Sequence, residues 1–449
     1  MIPTRRLPAA LLAVGLVVLP MGTWGAGVWV LGNVAVLVAV VVDVVLAVSP
    51  RRMDVQREVD PVLVIDTDAR LRWVVTNPTR RRARVHLADA LPESLRAVDR
   101  RARLVVPAGA RVHADGTVRP ARRGVHDLAA ITVRSRGPLG LVDRQRTLPV
   151  HTRVRVHPAF PSRQETELRL HRALRLSEGV RTVRLRGQGT DFESLRDYTP
   201  DDETRRIDWA ATARALRPIV RTYRAERNQH VLILLDHGRT MAGRMGRRPI
   251  DDRHDGPELL GRAPRLEHAM DAAMALTRIA TGLGDRVGLV TFSDVVTGTL
   301  PPRGGNAQMT RLVQALADIE PELVEPDYRG AFGEALARYR RRALVVVLTD
   351  LAAGPVHESL APALPLLGRR HLVLVAAPAD PSVGSWAVDA PRDPTAAYRM
   401  AAAVEAEATR RRTARVLQTG GATVVDAVPT LLPGRIVDAY LDLKAAGAL

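Results

Sequence analysis

From Leu7 to Val48 the chain carries 42 residues with a single charged side chain, Asp43. A helix needs about 20 apolar residues to cross the hydrocarbon core of a bilayer. The stretch therefore predicts two spans joined by a tight turn at Gly22-Thr23-Trp24-Gly25-Ala26-Gly27, with residues 7–48 in the lipid bilayer. Trp24 and Trp29 are expected at the lipid–water boundary, where indole rings prefer to lie. Arg5 and Arg6 precede the first span, and Arg51 and Arg52 follow the second. Positive charge at both ends puts both ends in the cytoplasm. Residues 1–50 thus read as a transmembrane helical hairpin, two-pass in the cell membrane, with everything after residue 50 cytoplasmic. The rival reading is a cleaved signal peptide, since Arg5-Arg6 before a short apolar run has that form. Cleavage near Ala26 would still leave Val28 to Val48, long enough to anchor the chain. A carboxylate facing lipid is costly, so Asp43 is expected to snorkel outward or pair with Arg51 or Arg52.

Residues 51–160 lack helical periodicity. Short apolar runs end in turn signals: Leu71-Arg72-Trp73 before Asn77-Pro78, Leu104-Val105-Val106 before Pro107-Ala108-Gly109, and Ile131-Thr132-Val133 before Arg136-Gly137-Pro138. This predicts an antiparallel β-sandwich of immunoglobulin-like size. Arg80-Arg81-Arg82 reads as a solvated turn, with weak attraction to anionic lipid as the alternative.

The formal net charge of +18 raises the question of nucleic acid. Lys444 is the only lysine, and the arginines are scattered along the whole soluble chain. Aromatic residues make up 3% of the chain, too few to interleave with them as stacking platforms. Arginine beside abundant Ala, Val and Gly reads instead as the codon bias of a GC-rich genome, so nucleic acid is not the expected partner. There is no cysteine, which excludes disulfides, thiolate metal sites and a Cys nucleophile.

Residues 161–228 hold the densest charge pattern. Asp191, Glu193, Asp197, Asp201, Asp202 and Asp208 alternate with Arg196, Arg205, Arg206 and Arg214. Such a cluster either binds a hard cation through oxygen or forms an ion-pair network that locks a loop or meets a partner. The second reading is favoured, because no His sits between Arg184 and Trp209 to act as a base. Thr199-Pro200 before acidic residues reads as a helix start. The run Gly187-Gln188-Gly189, Asp191-Phe192-Glu193-Ser194-Leu195-Arg196-Asp197-Tyr198, Arg206-Ile207-Asp208-Trp209 and Ala213-Arg214 resembles the signature of the domain of unknown function 58 family. Arg123-Gly124-Val125 and Gly137-Pro138-Leu139-Gly140-Leu141 upstream also resemble it, so the likeness covers roughly residues 120–300. One departure is Asp201-Asp202, where members carry Gly-Asp after the proline. The resemblance implies a partner, a MoxR-type AAA+ ATPase, rather than a reaction. Partner-contact or structural roles are assigned to Gly187, Gly189, Asp191, Phe192, Arg196, Tyr198, Asp202, Arg206, Asp208, Trp209 and Arg214.

Residues 229–449 alternate strands with helices, which predicts a parallel sheet covered on both faces. Strands are expected at Val231–Leu235, Val287–Phe292, Leu344–Leu348, Leu372–Ala376 and Thr423–Val425, and helices along Leu266–Leu283, Met309–Ile319, Pro394–Gln418 and the C-terminus. Asp236 and Asp350 each fall at a strand's end, where ligands of such sheets bind. The pattern resembles the von Willebrand factor A fold. That resemblance implies a metal site of Asp236, Thr240 and Asp350, with magnesium as the ion. Gly238 stands where that family has its middle serine, and Gly304-Gly305-Asn306 lies where its threonine loop would be, so the site is degenerate. The alternative for Asp236 is to cap its own turn. No phosphate loop of the Walker type occurs.

The function expected from these features is that of a membrane-anchored, non-enzymatic adaptor working with an AAA+ ATPase in assembly or maturation of other proteins. The alternative is a metal-dependent hydrolase using Asp236 and Asp350.

Overall fold

A computed structural model of the chain describes residues 1–19, 25–183, 191–199, 204, 207–224, 229–245 and 263–449. They fall into two compact units, Met1–His157 and Pro158–Leu449.

The first unit starts with β1 (Ile2–Pro3), α1 (Arg6–Val18) and α2 (Gly25–Leu46). At ~1.5 Å per residue, the 22 residues of α2 are enough to cross a bilayer. The 13 residues of α1 are not. Among the described residues one helix is therefore long and apolar enough to span a membrane. Leu31, Leu37 and Val45 on α2 are all more than half exposed, as a lipid-facing surface would be. The two helices touch where Gly32 meets Val14; a Cβ on Gly32 would lie 2.6 Å from a Val14 methyl. The turn that would join them falls mostly outside the described residues, Trp24 included.

Two sheets follow. β2 (Asp54–Val59), β4 (Ala69–Thr76) and β7 (Arg111–Val118) form one, in the order β2–β4–β7. The other has the order β1–β9–β8–β5–β6, from β5 (Ala83–Asp89), β6 (Arg101–Val106), β8 (Gly124–Arg136) and β9 (Val142–His157). β3 (Val62–Val64) adds to β9 in parallel. Period-2 alternation puts Leu71, Trp73 and Val75 of one sheet against Val85, Leu87, Ile131 and Val133 of the other in a shared core. A buried polar hub crosses it. Asp89 accepts from Arg57 Nε at 2.9 Å and from Trp73 Nε1 at 2.7 Å, while Arg57 Nη1 donates to the carbonyls of Leu128 and Val150.

Asp43 does not pair with Arg51 or Arg52. It is fully buried and accepts four consecutive backbone amides from the β8–β9 turn: Leu139 at 2.7 Å, Gly140 at 3.3 Å, Leu141 at 2.7 Å and Val142 at 2.9 Å. Backbone donors in a tight turn satisfy a carboxylate as well as guanidinium does, without a second desolvated charge. Gly137 is required there, because a Cβ would sit 2.2 Å from an Asp43 oxygen. The same turn takes Thr4, whose hydroxyl donates to the Gly140 carbonyl at 2.6 Å, so both ends of the apolar segment meet Gly137–Leu141.

The second unit opens with α3 (Arg163–Val183). A strand–helix–strand piece follows: β10 (Asp191–Asp197), α4 (Trp209–Ala215) and β11 (Ile219–Arg224), with β10 and β11 paired antiparallel. The main sheet has the order β14–β13–β12–β15–β16–β17, from β12 (His230–Asp236), β13 (Arg286–Phe292), β14 (Val296–Arg303), β15 (Leu344–Leu348), β16 (Leu372–Pro378) and β17 (Thr423–Ala427). All pair in parallel except the edge strand β14. α5 (Arg265–Gly282), α6 (Asn306–Ala317) and α12 (Leu432–Ala445) cover one face. The run Ala269, Ala272, Ala273, Ala275 and Ala280 is buried in α5, so the helix can sit close on the strands. The other face carries α7 (Tyr328–Arg338), α9 (Ala361–Gly368) and α11 (Pro394–Thr419), with short α8 (Ala353–Pro355) and α10 (Pro381–Val388) between. Every strand expected from the apolar runs is present; α3, β10, α4, β11, β14, α7, α8, α9 and α10 are additions.

Candidate functional site

Strand order reverses beside β12, because its neighbours β13 and β15 lie on opposite sides and are reached by connections running opposite ways. The crevice at the carboxyl ends of β12 and β15 is where sheets of this kind bind ligands. Asp236 ends β12, and Thr349-Asp350 follow β15. The structure therefore brings two of the sequence-predicted residues to one place, and the Arg239–Ala242 turn adds Thr240.

Asp236 is fully buried. Its Oδ1 accepts the Gly238 amide at 2.7 Å, the turn cap that was the alternative reading. Its Oδ2 accepts the Thr349 hydroxyl at 2.6 Å and the Tyr328 hydroxyl at 3.2 Å. Burial pushes its carboxyl up to about 6, against the lowering effect of these hydrogen bonds. Burial also raises the Tyr328 phenol, with the Asp236 charge adding to it.

Asp350 meets guanidinium. Its Oδ1 accepts Arg410 Nη1 at 2.7 Å, and Arg265 Nε lies 3.7 Å away. Arg410 reaches in from α11, where it also donates Nε to both oxygens of Asp426 at 2.9 Å and Nη2 to the Pro378 carbonyl at 3.0 Å. Burial lowers the Arg410 pKa, but Asp350 and Asp426 outweigh it and the net direction is up. Arg265 Nη1 donates to the Thr240 carbonyl at 3.4 Å. The Thr240 hydroxyl itself is buried and has no hydrogen-bond partner among the described residues.

These residues do not fit a divalent cation. Octahedral magnesium needs carboxylate oxygens free to face it. Asp236 spends both oxygens on protein donors, and Asp350 already faces two guanidinium groups. Gly238 fits its turn for a steric reason: a Cβ would lie 2.9 Å from the Val324 carbonyl, so a serine cannot stand there without moving that loop. Gly304-Gly305 follows β14, whose Arg303 pairs with Val287 at the start of β13. That is the opposite end of the sheet from Asp236, so these glycines take no part in the site. Among the described residues no group of three or more His, Asp or Glu is arranged to hold a metal.

A His–hydroxyl contact lies on the neighbouring edge, His237 Nε2 to Thr297 Oγ1 at 2.8 Å. The Thr297 hydroxyl is also within 3.1 Å of the Thr291 carbonyl, so its proton has a backbone acceptor. Sequence reasoning missed Thr349, Tyr328, Arg265 and Arg410. Thr349 was within reach as the neighbour of Asp350; the others come from helices whose register the strand pattern does not fix.

The signature residues are placed only in part. Gly187, Gly189, Asp202 and Arg206 lie outside the described residues, and so does the Pro200 of the expected helix start. Asp191 and Phe192 are in β10, paired with Arg224 and Tyr223. Asp208 caps α4, accepting the amides of Ala210 and Ala211 at 3.0 Å. Arg214 Nε donates to the Ala210 carbonyl, Arg196 Nη1 to the Asp197 carbonyl, and Asp197 pairs with Arg217 at 3.0 Å. The Tyr198 amide donates to the Pro218 carbonyl. Trp209 projects outward, 71% exposed, and Leu216 is 93% exposed.

The fold and site define a mixed α/β protein with several sheets and an apolar N-terminal helix, whose strand-end carboxylates are held by the chain's own donors. The family described as protein of unknown function DUF58 matches residues 194–422, a little over half of the chain, and the chain belongs to it. Curated relatives are an uncharacterized protein of Mycobacterium tuberculosis (strain H37Rv) and one of Mycobacterium bovis. Each is 27% identical over 197 residues, covering 43% of this chain and 56% of the relative. The chain thus spans about half the length of the curated relatives it matches. Among solved structures, a protein of unknown function from Porphyromonas gingivalis W83 matches 25% of this chain and 50% of its own, at 17% identity and a TM-score of 0.19. Trypsin-activated alpha-2-macroglobulin from Escherichia coli matches 34% of this chain and 9% of its own, at 17% identity and a TM-score of 0.18.

Proposed function

We propose that the protein is a membrane-anchored adaptor that presents its family-signature unit to a protein partner, with an AAA+ ATPase of the MoxR type as that partner. The observation that carries this reading is the outward placement of Trp209 and Leu216 on the small β10–α4–β11 piece. Large apolar side chains held out by a capped helix are the kind of anchor that protein interfaces bury. Arg214 and Arg217 beside them are exposed, which suits an acidic rim on the partner. The strand-end carboxylates are sealed beneath protein donors and offer neither a nucleophile nor an accessible contact.

Within this reading the α/β unit is a von Willebrand factor A-type domain that works without its metal. Strand order and an Asp at the end of the central strand support that assignment. The anchor is a two-pass hairpin whose first crossing is the apolar run from Leu7 in the sequence, longer than the 13 residues of α1; the packing of α1 on α2 and the meeting of Thr4 and Asp43 at the same turn support it. Its ends and the rest of the chain then face the cytoplasm, as the flanking arginines suggest.

The test is crosslinking in native membranes followed by affinity capture and mass spectrometry, comparing wild type with Trp209→Ala/Leu216→Ser. Recovery of an AAA+ ATPase that the double variant loses supports the adaptor and its contact. Recovery unchanged in the variant removes this contact, and absence of any ATPase in wild type sinks the partner assignment.

A further inference from the structure

The membrane-side end of the first unit carries guanidinium groups that pair with no carboxylate among the described residues. α2 ends at Leu46, and the chain turns through Pro50–Arg52, with Arg51 and Arg52 exposed. The folded sheets add to this ring from elsewhere in the sequence. Arg81, in the turn between β4 and β5, donates Nη1 to the Val45 carbonyl at 3.3 Å. Arg144 of β9 donates Nη1 to the carbonyls of Val44 and Ala47 at 3.5 Å. Both therefore cap the last turn of the apolar helix, whose free carbonyls and dipole favour cations. Arg80 and Arg82 flank Arg81 and are exposed. Arg6 reaches the Leu139 carbonyl at 3.3 Å, in the turn that also holds Asp43.

The acidic side chains nearby, among the described residues, pair with none of these arginines: Asp54 is exposed and accepts Gln56 Nε2 at 2.9 Å. Asp43 is enclosed by backbone amides, and Asp143 pairs with Arg136 at 3.0 Å. Among the described residues Arg51, Arg52, Arg80, Arg81, Arg82 and Arg144 have no ion-pair partner. A patch tied by hydrogen bonds to the last turn of a membrane-crossing helix sits at headgroup depth by construction. It is contributed by the flanking segment, the β4–β5 turn and β9, so the folded domain and not the flanking sequence alone makes it.

We infer that this end of the first unit is a binding surface for anionic lipid headgroups, with the Arg80–Arg82 turn pressed against the leaflet that the end of α2 enters. The inference rests on the anchoring reading. Each arginine near an anionic surface strengthens association about fivefold.

The test uses the full chain, delipidated in detergent, with thermal unfolding followed as phosphatidylglycerol, phosphatidylcholine or inorganic phosphate is added. Wild type is expected to shift upward with phosphatidylglycerol and not with the other two, and the shift is expected to fade with salt. Arg80→Ser/Arg82→Ser keeps the Arg81–Val45 bond and is expected to need roughly twenty-five-fold more phosphatidylglycerol for the same shift. An equal response to both lipids overturns the inference, as does an equal response to inorganic phosphate or an unchanged titration in the variant. Flotation of wild type and variant with cell membranes runs alongside. Loss of flotation in wild type would refute anchoring itself, whereas flotation retained without a phosphatidylglycerol preference refutes only the headgroup surface.

Discussion

Replacing Arg410 with glutamine removes the cation on which two strand ends depend. Its guanidinium is 19% exposed and bridges Asp350, 9% exposed, to Asp426, 27% exposed. Glutamine can keep one hydrogen bond but leaves two carboxylates facing each other without a charge between them. Removing one partner of a buried ion pair costs about 3–5 kcal/mol. Asp426 retains some water and Arg265 stays 3.7 Å from Asp350, so the lower end, about 3 kcal/mol, is expected. For a unit the size of Pro158–Leu449, roughly 2 °C of melting temperature accompanies each kcal/mol, giving a fall of about 6 °C. Calorimetry of the full chain in detergent measures it, with hydrogen exchange of β15, β16 and β17 identifying the transition. Asp350→Asn combined with Arg410→Gln should lose less than the two single changes added together, because the orphaned charge is gone. A melting temperature within about 1 °C of wild type would refute the assignment of Arg410 as the resident cation. So would wild type stabilised by manganese and destabilised by a chelator, since then a divalent ion fits where two guanidinium groups already face Asp350 and protein donors hold both oxygens of Asp236.

Other outcomes follow from the same geometry. Asp236 has its carboxyl raised from 3.8 to about 6, so the folded state holds its proton more tightly than the unfolded chain does. Its contribution to stability therefore grows as pH falls from about 7 towards 4 and is lost as pH rises through 6, the reverse of a salt-bridged carboxylate. Asp236→Asn removes the charge and turns one accepting oxygen into a donor, so with Oδ1 kept on the Gly238 amide the Thr349 and Tyr328 hydroxyls must turn to accept; the variant should lose this pH dependence, and a wild-type pH slope between about 4 and 7 in the variant would contradict the burial argument. Gly137→Ala places a methyl 2.2 Å from an Asp43 oxygen, and limited proteolysis should then cut the β8–β9 turn that wild type protects. Asp43→Ala leaves four amides without their acceptor, at about 1–3 kcal/mol for each one that stays dry, and should give the same cleavage. Trp209→Ala removes an exposed ring and is expected to leave the melting temperature within about 1 °C of wild type, so any loss of partner capture is a surface effect.

Periodicity alone located the parallel strands, because Val231–Leu235, Leu344–Leu348 and Leu372–Ala376 are continuous apolar runs that only a sheet covered on both faces can bury. It also located the apolar α2, and it marked Asp236 and Asp350 at the strand ends. The signature around Asp208–Trp209 identified the family, since fixed residues at fixed spacing are readable without a fold. What fills the strand-end site was not readable in this way. Thr349, Tyr328, Arg265 and Arg410 come from four places in the chain, and their convergence depends on how helices α5, α7 and α11 rotate on the sheet. The two puzzles at the end of the apolar helix, a carboxylate within it and a Gly-Pro-Leu-Gly-Leu turn some hundred residues later, are each other's solution. A buried charge needs donors, but which donors is decided by which backbone the fold brings within hydrogen-bond reach, and sequence separation carries no information about that.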